Sequence, residues 1–156
     1  MDQSSLLDDV DRRILNALQM NAALTNAELA QLVHVSAPTC LRRVKQLRES
    51  GVIAREVAIV APEKVGAQLT AIVEITLDVQ AADRMSEFEA HVADEPAVLQ
   101  CYRVSPGPDF VLVVQVAEMP AYHALAHRLF ASHANVRNVK AYFSTFRSKF
   151  ETRIAV

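Results

Sequence analysis

With 156 residues, 51% hydrophobic and 22% charged, three glycines and no tryptophan, the chain is long enough to bury a core and falls outside the disordered and disulfide-scaffold classes. Its formal charge of -2 carries no nucleic-acid signal, so any such role must rest on cations gathered on one face. No apolar run reaches the length of a membrane span, and the acidic opening MDQSSLLDDVD lacks the basic and hydrophobic regions of a secretory signal. A helix-rich cytoplasmic protein with no membrane partner is expected, and the well-separated Cys40 and Cys101 read as free thiols.

The period is helical from Leu7 to Gly51. Asp8 and Asp9 suit a helix N-terminus, and Val10, Ile14, Leu15 and Leu18 follow on one side of a first helix. TNAELAQLV opens a second, short helix with Thr25 and Glu28 at capping-box spacing. His34 sits at the turn that follows. Ser36 caps a third helix, whose early Pro38 costs little because first-turn amides have no intrahelical acceptor, and Gly51 ends it.

This third helix reads as two-sided, with Cys40, Leu41, Val44 and Leu47 toward the domain and Thr39, Arg42, Arg43 and Lys45 outward. Between Ser36 and Glu56 five cations (Arg42, Arg43, Lys45, Arg48, Arg55) stand against two anions (Glu49, Glu56). A basic run alone is most simply a solvated face. A short capped helix, a turn and then this helix make a helix-turn-helix, whose second helix enters the major groove of double-stranded DNA. In that geometry Ala37, Thr39 and Arg43 are the candidates for base edges, and Ser36, Arg42 and Lys45 for phosphates.

VIAREVAIVAP is rich in β-branched residues and predicts a short hairpin or an extended connector. The helix-turn-helix domain, winged-helix-like, is therefore placed at 1–60, a linker at 61–68 and a second domain at 69–156. That second domain opens on LTAIVEITLD, which alternates as a strand with one wetter face. A helix with Met85, Phe88 and Val92 on one stripe comes next, then the strand AVLQCYRVS, the turn PGPD and the apolar strand FVLVVQVAE. A helix carrying Tyr122, Leu125 and Leu129 and the strand VRNVKAYFSTF complete it. The order βαββαβ is the ferredoxin-like arrangement, so the fold class is α+β with a four-stranded antiparallel sheet. Both helices would cover one sheet face, and homodimerisation would cover the other.

LDDVDRRILNALQ, NAELAQLV, VSAPTCLRRVKQLRESGVI and the four-stranded domain together resemble the Lrp/AsnC family, the feast/famine transcription regulators, over nearly the whole chain. The resemblance implies DNA binding by the helix-turn-helix, and dimers and higher assemblies such as an octamer through the C-terminal domain. It also implies a small effector, commonly an amino acid, near the turn between the middle strands. That turn is VSPGPDF here, and Ser105, Gly107 and Asp109 are the implied effector residues. The family usually has glycine at His34, Gly-Asp-Tyr-Asp where this chain has Pro106-Gly107-Pro108-Asp109, and threonine at Ala141. The rival class is an enzyme, because sirohaem decarboxylases resemble the same two-part architecture.

His123 and His127 lie four apart on a predicted helix face, as two metal ligands would, but no third ligand accompanies them and two solvent-side histidines are the simpler reading. There is no glycine-rich phosphate loop and no Ser-His-Asp arrangement, and no cofactor is expected.

Overall fold

The computed structural model describes residues 7–156, so the first six residues of the acidic opening lie outside it. Among the described residues no helix is long and apolar enough to cross a membrane. The chain divides into two units, Met1–Ile59 with Lys149–Val156, and Val60–Ser148.

The first unit is helical: α1 (Asp9–Met20), α2 (Asn26–Leu32) and α3 (Ala37–Glu49). Each start is capped by its own sequence. Asp8 accepts from the amides of Val10 and Asp11, both at 2.9 Å, while the Asp11 carboxylate accepts from the Asp8 amide in return. Those backbone bonds, with help from Arg43, hold the Asp8 carboxyl below the usual carboxylate range. Thr25 and Glu28 form the second capping box, and Ser36 caps α3 with Pro38 in its first turn. Ile14, Leu15, Leu29, Ala30, Val33, Cys40, Val44 and Leu47 make the core.

Two features of this unit differ from the sequence expectation, and one decides between two alternatives. Leu41 is not a core residue but 59% exposed. Of the hairpin and the extended connector, residues 52–61 form the connector, because a β-branched segment needs a neighbouring strand to satisfy its backbone and none lies beside it among the described residues. The C-terminal residues 149–156, assigned above to the second domain, return to this unit. The Gln19 amide donates to the Ile154 carbonyl at 3.0 Å and accepts from the Ile154 amide at 2.8 Å, and Val156 packs against the core.

The second unit contains a 3-10 turn (Pro62–Lys64), then β1 (Leu69–Leu77), α4 (Ala82–Ala93), β2 (Val98–Arg103), β3 (Phe110–Val116), α5 (Met119–Ala126) and β4 (Val136–Phe143). The sheet order is β2-β3-β1-β4 with every pair antiparallel, as the ferredoxin-like reading requires. Alternation decides the faces. Ala71, Val73, Ile75, Leu77, Phe110, Leu112 and Val114 pack against Met85, Phe88 and Val92 of α4 and Tyr122 and Leu125 of α5. The opposite face keeps Ile72, Tyr102 and Tyr142 exposed. Past Ala126 the helix widens into a π turn, His127–Ala131, whose extra residue lets the adjacent Leu129 and Phe130 both be buried.

One histidine pair packs behind this sheet. The His91 Nε2–H donates to the Leu129 carbonyl at 2.9 Å, and the His133 ring lies 4.9 Å from that of His91 and edge-on to Phe88. Burial, with the neighbouring His91, pushes the His133 imidazole below its ordinary value of 6.5, against a smaller upward pull from Glu87. The unfolded chain therefore binds the proton first, so stability is intact above that ordinary value and declines as pH falls through it. Urea midpoints measured between about pH 7.5 and about pH 5 should fall in the wild type and fall less in His133→Gln. Equal declines would remove His133 from this account.

Candidate nucleic-acid interface and effector turn

The turn before α3 demands a left-handed residue. His34 supplies it, with φ 57°, in place of the glycine usual in the resembled family. The Asn26 side chain then donates to the Ala37 carbonyl at 2.9 Å, fixing α2 against the first turn of α3. With Cys40, Val44 and Leu47 turned into the core, the outward stripe of α3 is Pro38, Leu41, Arg42 and Lys45, all exposed.

The predicted DNA-contacting residues fall into two groups. Arg42 is exposed and makes no ion pair among the described residues, while Lys45 holds only a solvent-exposed pair with Glu49 at 3.6 Å. Such a pair is weak and is readily given up to a phosphate. Ala37 is exposed at the start of the helix. The Ser36 hydroxyl accepts from the Thr39 amide at 3.4 Å and donates to the Thr39 hydroxyl at 2.8 Å, so both side chains serve the cap as well.

Arg43 does not join them. Its Nη1 lies 2.8 Å from Asp8 and 2.8 Å from Asp11, and its side chain is only 21% exposed. The two carboxylates, Asp11 first, raise its basicity further. The outward orientation expected from the helical pattern is thus replaced by a contact with the start of α1. A long guanidinium stem lets a residue beside the core edge reach a neighbouring helix instead of solvent. Nothing in the local pattern around Arg43 reveals this, because its partners lie 32 or more positions earlier in the chain.

In the second unit the turn between β2 and β3 carries Ser105 and Gly107 at its exposed tip, with Gly107 at φ 123°. Asp109 is half-buried and already engaged. Its carboxylate accepts from the Leu77 amide at 2.6 Å and lies 3.5 Å from the Gln80 side-chain amide, while its own amide donates to the Ile75 carbonyl at 2.8 Å. Asp109 therefore anchors the turn to the end of β1. Past the end of β1, Asn135 donates to the Val79 carbonyl and accepts from the Val79 amide, both at 3.0 Å. Gln80 is a polar neighbour of the turn that no sequence motif marks.

His123 and His127 line a hollow of about 330 Å³ with Ala126, Phe130, Ala131 and Val139, a setting without further ligating groups. Among the described residues no group of three His, Cys, Asp or Glu side chains is placed to hold a metal. Cys40 is buried, and burial pushes its thiol up, away from the reactive thiolate.

Comparison with known proteins bears on both sites. Residues 7–54 match a winged helix-turn-helix DNA-binding model, and residues 70–154 match the Lrp/AsnC ligand binding domain. An uncharacterized HTH-type transcriptional regulator of Haemophilus influenzae is 37% identical over 88% of this chain and 82% of its own length. The leucine-responsive regulatory protein of Salmonella typhimurium is 33% identical over 96% of this chain and 92% of its own. Among solved structures, a transcriptional regulator of Neisseria meningitidis in complex with L-Met superposes with a TM-score of 0.89 at 32% identity, covering 95% of this chain and 96% of that one. With a DNA-binding helix-turn-helix and the ligand-binding domain both matched, and with relatives alike over most of their length, the chain belongs to the Lrp/AsnC family of transcriptional regulators.

Proposed function

We propose that α3 lies in the major groove of double-stranded DNA, with Ala37 and Thr39 near base edges and Ser36, Arg42 and Lys45 on the phosphates. The observation that carries this is the stripe Pro38–Leu41–Arg42–Lys45, left outward on a capped helix whose other side is locked into a core. Arg43 holds α3 to α1 in this reading. The open sheet face with Ile72, Tyr102 and Tyr142 is the homodimer surface, so two copies of α3 are presented together, and dimers assemble further. With DNA as its partner, the protein works in the cytoplasm.

The effector is a small molecule, an amino acid, held at the tip Ser105–Gly107 with Asp109 fixing the turn beneath it. The neisserial relative's L-Met complex supports that class. The effector would bias assembly only by its difference in affinity between two arrangements. Gly107 supplies the test. A Cβ there meets no atom within 4 Å, so Gly107→Ala strains only the backbone at φ 123°. That strain is worth about 1–2 kcal/mol and should weaken amino-acid binding about tenfold while leaving effector-free DNA binding intact. Thermal shifts with each amino acid, together with gel shifts, read both outcomes. An unchanged amino-acid response in the variant would move the effector site away from this turn.

A further inference from the structure

The outward stripe of α3 holds two apolar groups that phosphate binding does not use, Pro38 in the first turn and Leu41 beyond it. Leu41 is a branched apolar side chain, 59% exposed, in the second turn of α3 between Pro38 and Lys45 and beside Arg42. A lone exposed leucine is ordinary on a protein surface. This one stands among cations on the face whose charge complements a polyanion, at the depth along the helix from which a recognition helix reaches base edges. Of the two arginines at that level, Arg42 is assigned to phosphate and Arg43 is drawn away to Asp8 and Asp11 at 2.8 Å. What remains is one apolar and one cationic group side by side. In the major groove the apolar group displayed by a base pair is the thymine 5-methyl, and a leucine makes no hydrogen bond that would select anything else.

We infer that Leu41 is a specificity-determining residue that packs on a thymine 5-methyl group when α3 binds DNA. The inference rests on the proposed DNA-binding role of α3 and names what one of its side chains selects.

The experiment uses the intact chain and the tightest duplex it selects from a random-sequence pool. Each thymine is replaced in turn by deoxyuridine, which removes the methyl and keeps the base pair. At one thymine per half-site the wild type should lose about fourfold in affinity, the value of one buried methyl-sized group. Leu41→Ala should bind the thymine duplex weaker by a similar factor and be indifferent to deoxyuridine at that position. Leu32→Ala, which removes a leucine that is 58% exposed on α2, should keep the wild-type sensitivity. If both proteins bind the duplex but no deoxyuridine weakens the wild type, or the same one weakens wild type and Leu41→Ala equally, the assignment of Leu41 is wrong and α3 remains the DNA face. If the wild type selects no duplex, the DNA-binding role of α3 fails, and Leu41 with it.

Discussion

Replacing Arg42 and Lys45 together by alanine is expected to cost roughly sixtyfold in duplex affinity for each copy of α3 bound, at about 0.1 M salt. The estimate follows from counterion release: each phosphate contact frees about 0.9 of a condensed cation, a factor of about eight at that salt. Both side chains are exposed, Arg42 without an ion pair among the described residues and Lys45 only in a solvent-exposed pair with Glu49, so removing them leaves no buried group unsatisfied. The variant should melt with the wild type. The loss should also be nearly the same for every duplex, because phosphate contacts carry no sequence information. Anisotropy titrations on the selected duplex and on an unrelated one check this, and a loss confined to the selected duplex would place these residues on bases instead.

Arg43→Ala should behave differently. One guanidinium joins the N-cap of α1 to the middle of α3, with both contacts at 2.8 Å and with the Asp11 side chain only 15% exposed. Truncation leaves Asp11 in that partly enclosed position without its cation and opens space beside a hollow of about 260 Å³ lined by Leu7, Asp11, Gln46, Leu47, Ser50 and Val52. A destabilisation of about 1–2 kcal/mol in the helical unit is expected, in the range of lost charged hydrogen bonds reduced for partial exposure. DNA affinity should fall through the same population of misdocked helix, so the ranking of duplexes stays as in the wild type. Urea unfolding and a comparison of duplex preferences separate the roles. An unaltered unfolding midpoint with a relaxed sequence preference would return Arg43 to base readout.

The features legible in the sequence are those written in local periodicity. Met85, Phe88 and Val92 fall on one helical stripe and are buried together, and alternation along Ala71, Val73 and Ile75 marks the covered face of β1. The caps at Thr25 and Ser36 are likewise spelled out within three residues. His34 adopts the left-handed turn that its position requires.

What local pattern does not reveal depends on distant partners. A helical wheel places Leu41 beside the core and Arg43 outside it, yet the carboxylates of Asp8 and Asp11 draw Arg43 inward while Leu41 stays in water. For residues 52–61 the side chains suit a hairpin or a connector alike, and the lack of a neighbouring strand among the described residues decides for the connector. The C-terminal RIAV has no period of its own, and its place is set by the Gln19 amide 135 positions earlier. At the turn between β2 and β3 the same holds for Asp109. Its carboxylate reads as a free ligand, whereas the Leu77 amide, 32 positions earlier, already occupies one oxygen.

The most direct test of the account is the salt dependence of duplex binding by the intact chain and by the Arg42→Ala/Lys45→Ala variant. In a plot of log affinity against log salt, the wild type should fall steeply, and the variant should be shallower by about two per copy of α3 bound. Equal slopes for the two proteins would show that these cations do not meet phosphate and would contradict the assignment of α3 as the DNA-binding face.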